Sequence, residues 1–194
     1  MTFCLRTAPA IILLSCFIVA CNNTTEEKNA AASTADTSFK PPILVTLKTT
    51  LKETLLNEKT VIANKRLAAA PAMNTETCKT LSVKVIDSTA TSESHFNYKI
   101  LDTLFAGPTV KILLIGREYE SENIIWMAVY DLQNKLLDHR TVYYDNAEGF
   151  MSVETIIKND QLNITTYNEY AEQENEKKRT EVFHLNEDNK IVKE

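Results

Sequence analysis

Two neighbouring runs, Val110-Lys111-Ile112-Leu113-Leu114-Ile115-Gly116-Arg117 and Asn123-Ile124-Ile125-Trp126-Met127-Ala128-Val129-Tyr130-Asp131, decide the fold. In each, consecutive residues are apolar, so a strand built from them is apolar on both faces. Such strands lie in the middle of a sheet with other elements packed above and below.

Working outward, Leu81, Val83 and Val85 alternate with Ser82 and Lys84 and predict a first strand. Asp87 to Ser94 is polar and loop-like, and Phe96 to Ile100 predicts a second strand, closed by Gly107-Pro108. Downstream, three turn sequences form a weak internal repeat: Asp131 to Leu136, Lys158 to Leu162 and Asn186 to Ile191. Each places Asn or Asp where a tight turn needs left-handed backbone, then Lys or Gln, then an aliphatic residue re-entering a strand. The spacing suits successive hairpins and is too short for propeller blades of ~40–50 residues. Upstream, Leu44, Leu47, Leu51, Leu55 and Ile62 recur at helical intervals, which predicts helix over 43–70, ended by Pro71. The expected fold is mainly β (α+β): an antiparallel meander of seven to nine strands over 81–194, free to curl, with the 43–70 helix packed on one face.

The N-terminus carries a different signal. Met1 to Ala10 holds one charge, Arg6, and Ile11 to Ala20 is a compact apolar run of signal-peptide length, too short to cross a bilayer. It ends in Ile18-Val19-Ala20-Cys21, which resembles the lipobox of bacterial lipoproteins. The resemblance covers only this segment. It implies that residues 1–20 are a signal peptide removed before Cys21, whose thiol carries diacylglycerol and whose new amine is acylated. Two or three acyl chains at ~0.8 kcal/mol per buried methylene hold a protein stably on a membrane without spanning it. In that family an Asp after the cysteine favours inner-membrane retention. Asn22 and Asn23 stand here instead, so the resemblance implies a periplasm-facing outer-membrane lipoprotein, while Glu26-Glu27 is weakly similar to a surface-export signal.

Residues 22–40 contain one aromatic, Phe39, and no large aliphatic side chain. They cannot bury enough apolar surface to offset ordering entropy, so 21–41 reads as the lipidated residue and a flexible tether before a single domain, 42–194. Four cysteines are present. Cys4 and Cys16 leave with the signal and Cys21 carries lipid, so Cys78 stands alone and no internal disulfide is expected. Cys78 reads as a small buried hydrophobe rather than a reactive thiol.

Charge and motif content exclude several function classes. The formal net charge is −5, one unit more negative without Arg6. The longest basic run, Lys177-Lys178-Arg179, sits among Glu172, Glu174, Glu176 and Glu181, which argues against nucleic acid as a partner. Three scattered glycines cannot form a phosphate-binding loop. His95, His139 and His184 fall in separate segments and predict no metal site; no cofactor is expected. Carboxylates abound at Glu118, Glu120, Glu122, Asp145, Glu148 and Glu154, but they read as turn and edge residues rather than a catalytic pair. Tyr143, Tyr144 and Tyr167 lie near strand ends and form the expected contact surface for an envelope protein or glycan. The tether and β domain together are similar to small envelope lipoproteins. The leading expectation is a non-enzymatic binding module on the membrane. The alternative is a lipoprotein inhibitor or immunity-type protein whose Tyr144–Gly149 loop enters the cleft of an envelope-targeting enzyme.

Overall fold

The structure is a computed structural model that describes residues 49–90, 96–120, 122–146 and 148–194. The signal peptide, Cys21, the tether and residues 43–48 of the expected helix therefore lie outside the described residues, as does His95.

In chain order the elements are β1 (Thr54–Leu56), a π-helical turn (Lys59–Ala63), α1 (Arg66–Ala69), α2 (Thr75–Thr80) and α3 (Val83–Ile86). Then follow β2 (Asn97–Ala106), β3 (Val110–Tyr119), β4 (Glu122–Asp131), β5 (Leu136–Asn146), β6 (Met151–Lys158), β7 (Gln161–Asn168), α4 (Glu174–Lys177), β8 (Lys178–Leu185) and β9 (Ile191–Lys193). The nine described strands form one open antiparallel sheet in the order β2 to β9, with β1 joined to β6. The meander read from the sequence is thus present, and the few helices are short.

β3 and β4 pair without a break from Val110↔Asp131 to Tyr119↔Glu122. Their side chains divide between two separate cores, which accounts for the apolar residues at successive positions. Ile112, Leu114, Ile125, Met127 and Val129 face one core with Leu51, Leu56, Val61 and Leu67. Leu113, Ile115, Trp126, Ala128 and Tyr130 face the other with Leu81, Val83 and Ile86. Segment 51–67 covers one face, as anticipated, and α2–α3 covers the opposite one. Gly116 permits the close approach of α1: a Cβ there would stand 2.5 Å from Leu67 Cδ1.

Two sequence expectations are corrected. Within 49–70 the chain is not one helix but a strand, a π turn and a four-residue helix. The side chains it buries are Leu51, Leu56, Val61 and Leu67, whereas Leu55 (43% exposed) and Ile62 (36%) point outward. Pairing of β1 with β6 fixes this: in a strand Leu55 and Leu56 take opposite faces, and the buried face goes to Leu56. The second correction is at 81–85, where the alternation predicts a strand and the structure has α3, entered through Ser82 at φ 50. Here burial overrides a short two-residue period. Trp126, Ala128 and Tyr130 need a cover, and the Tyr130 hydroxyl donates to the Leu81 carbonyl at 2.8 Å, satisfying an oxygen at the end of α2.

The three turns behave as read. Asp131 Oδ1 accepts the Lys135 N–H (2.8 Å) and Asn186 Oδ1 accepts the Lys190 N–H (2.8 Å), the same turn built twice. Asn134 and Asn189 have positive φ, and Asn159–Asp160 form a two-residue turn with both φ positive.

Candidate functional site

The sheet has a seam between β5 and β6. These strands pair only at Tyr144↔Val153 and Asp145↔Ser152; beyond that point β1 takes over the free edge of β6. Among the described residues, no strand pairs with the second edge of β5 from Leu136 to Tyr143. The far end of this window is closed by the β8–β9 hairpin. The Ile191 N–H donates to Asp138 Oδ2 at 2.7 Å, and Lys190 Nζ donates to the Leu137 carbonyl. The His139 N–H turns to the Asp138 carboxylate (2.8 Å), so His139, and by the two-residue period Thr141, direct their backbone groups to the open side.

A groove of about 490 Å³ lies over this window. Its floor is apolar, from Ile124, Trp126, Val153 and Ile164. Its walls carry His139, Arg140 and Thr141 of β5, Thr166 of β7, Glu181 of β8 and the 87–89 segment. A mostly apolar base with a few convergent polar groups is the usual make-up of a small-ligand site.

A buried ionic network holds the 87–89 wall. Asp87 (2% exposed) and Arg117 (3%) pair at 2.9 Å. The same Asp87 Oδ2 accepts the Tyr98 hydroxyl (2.9 Å), and Oδ1 accepts both the N–H (3.0 Å) and the hydroxyl (2.6 Å) of Thr89. Arg117 also donates to the Thr89 hydroxyl (2.7 Å) and to Glu122 (3.0 Å), which accepts from the Tyr144 hydroxyl (3.1 Å), and its guanidinium lies over the Phe96 ring. Burial, and then the bond to Asp87, push the Tyr98 hydroxyl well above its ordinary range. A buried pair of this kind stabilises little against an apolar substitute, but fixes the segment because breaking it leaves a bare charge.

The sequence-predicted residues end in different places. Tyr143 is corrected: at 1% exposure it belongs to a core and cannot be a surface contact. It pairs with Ile125 on the face that packs inward, next to a bulge at Val142 that lets both residues join the same core. Tyr144 is half-buried against Glu122, and Tyr167 is half-buried with Lys178 over its ring; neither lines the groove. Cys21 lies outside the described residues. His139 is in the groove, while His184 sits on β8 with Glu194 at 3.7 Å. Among the described residues no three His, Cys, Asp or Glu side chains gather as metal ligands. Of the carboxylates, Glu118 pairs with Lys99 and Glu122 with Arg117; burial first, then Glu58, raises the Asp145 carboxyl above its usual value. Cys78 is half-buried, and burial raises its thiol. Among the described residues no helix is long and apolar enough to cross a membrane.

The residues that make the groove, Asp87, Arg117, Trp126, Arg140, Thr166 and Glu181, were not marked by any motif. The one available signal was an arginine inside a strand-forming run, at Arg117 and again at Arg140. The site thus defines a groove in an open antiparallel sheet. No family model, curated protein or solved structure matches the chain.

Proposed function

We propose that this chain is a non-enzymatic binding module of the bacterial cell envelope, held on the periplasmic face of the outer membrane by lipid on Cys21, with the β5–β6 seam groove as its binding site. The observation that carries the binding reading is the apolar-floored groove over an unpaired strand edge, with its wall clamped by the Asp87–Arg117 pair. The Ile18-Val19-Ala20-Cys21 sequence supports the anchor. The tether, with a root-mean-square reach on the order of 25 Å, lets the module sample the space beside the membrane.

Two experiments test the halves separately. Cys21→Ser moves the protein from the membrane to the soluble fraction with its thermal melt unchanged; a variant that still sediments with membranes contradicts the anchor. For the groove, native mass spectrometry of the full chain from envelope extract finds a co-purified ligand that Thr141→Trp, which fills the groove, excludes. A ligand retained by Thr141→Trp places binding elsewhere.

A second reading is an inhibitor or immunity-type protein, favoured by one feature. Phe150, Met151 and Tyr170 are exposed beside the β5–β6 turn, with the Phe150 and Tyr170 rings 4.9 Å apart. Under this reading Phe150→Asp abolishes a one-to-one complex with an envelope hydrolase and leaves the groove ligand bound.

A further inference from the structure

Arg140 is unlike the other half-buried or buried cations of the sheet. Arg117, Lys99 and Arg66 each end on carboxylate or carbonyl oxygens. The Arg140 guanidinium carbon instead lies 3.6 Å from the centroid of the Phe183 ring, and among the described residues the side chain donates no hydrogen bond and forms no ion pair. A guanidinium stacked by its face on an aromatic ring keeps its in-plane N–H donors free and pre-aimed, the geometry that grips a carboxylate with two bonds.

The two wall carboxylates are already engaged. Asp87 is tied to Arg117, and one oxygen of Glu181 accepts from Arg179 at 2.6 Å and from Lys193 at 2.8 Å. With Arg140 near Glu181 as well, three cations surround one acid at this end of the groove, on a chain that is acidic overall. The hydroxyls of Thr141 and Thr166 stand in the same walls, and the floor is Ile124, Trp126, Val153 and Ile164. The volume of about 490 Å³ suits a small ligand, and pairing with β6 and the β8–β9 hairpin closes the window at both ends, so no through-running strand fits.

We propose that the groove binds an aliphatic carboxylic acid, its carboxylate gripped by Arg140 and its apolar body laid on Trp126 and Ile124. This rests on the seam groove being the binding site. The same chemistry is offered by a free small acid and by the C-terminal end of a peptide.

The test uses the full chain in nonionic detergent and reads Trp126, the only tryptophan in the sequence, which lines the groove. The probes are hexanoate and hexanamide, and acetylated trialanine with a free or an amidated C-terminus. Saturable emission changes with about a tenfold to hundredfold preference for acid over amide are expected, the worth of a charged hydrogen-bonded pair. Arg140→Met, which retains the packing on Phe183, removes the preference. Glu181→Gln, which takes away the one like charge, strengthens acid binding and provides an independent check should Arg140→Met fold poorly. The better acid of the two identifies the source. Equal affinity for acid and amide, unchanged in Arg140→Met and lost in Thr141→Trp, overturns the carboxylate class but leaves the groove as a binding site. No saturable response to any probe overturns the proposal, and the co-purified ligand then decides the groove by itself.

Discussion

The β3–β4 ladder and the β5–β6 seam are built from the same kind of hairpin and end in opposite conditions. β3 and β4 share ten consecutive register pairs and are sealed on both faces, whereas β5 and β6 share two and leave a strand edge beside a groove. Where sheet and cover agree at every position, side chains are consumed by packing. Where the ladder stops early, backbone groups and an unpaired arginine are left over, and these are what a ligand can use. Stability and binding capacity therefore reside in different thirds of one sheet.

Substitutions in the two regions should separate this contrast. Arg117→Met strands Asp87 in the interior and is expected to cost about 3–5 kcal/mol in urea denaturation, because an uncompensated buried charge is left behind. The double variant Arg117→Met with Asp87→Asn recovers much of that loss. An equal loss in both would mean that packing, not charge, holds the 87–89 wall. Leu114→Ala, in the sealed ladder with Leu114 fully buried, costs about 2–5 kcal/mol by the same measurement. Thr141→Val at the seam changes stability by no more than about 0.5 kcal/mol, so comparable losses at 114 and 141 would erase the distinction between the regions.

Smaller effects sharpen the account at the ends of the window. Asp138→Ala removes the acceptor for the Ile191 N–H and is expected to cost about 1 kcal/mol and speed exchange of the Ile191 amide. Asp145 tests the sign of an electrostatic effect. Burial, and then Glu58, hold its carboxyl above the ordinary range, so the charged form is disfavoured in the folded state and works against stability at neutral pH. The contribution of this group improves as pH falls through its raised value, and Asp145→Asn leaves neutral-pH stability equal or slightly higher. A clear loss in thermal melts at pH 7 would show that its bond with Asn123 outweighs the burial.

The parts of this fold readable from sequence are those in which local chemistry and tertiary demand coincide. Ile112 to Ile115 and Ile124 to Met127 announce strands covered on both sides, and Asp131 and Asn186 announce the turns they cap. Leu55, Ile62 and the 81–85 run were misread because their periodicity is short, and burial against particular neighbours settled the matter instead. The groove was illegible for another reason. It depends on where β5 parts from β6, which no residue in β5 encodes, and on Phe183 arriving beneath Arg140 from 43 positions later in the chain. Tyr143 illustrates the converse: a tyrosine that looks like a surface contact is taken inward by the face its strand presents.

The open seam is tested most directly by residue-resolved amide hydrogen exchange along β5. Arg140, opposite Met127 in the ladder, is predicted to exchange slowly, while the Thr141 amide on the unpaired edge exchanges faster by orders of magnitude. Protection of Thr141 equal to that of Arg140 would mean that the seam is closed, and the groove with it.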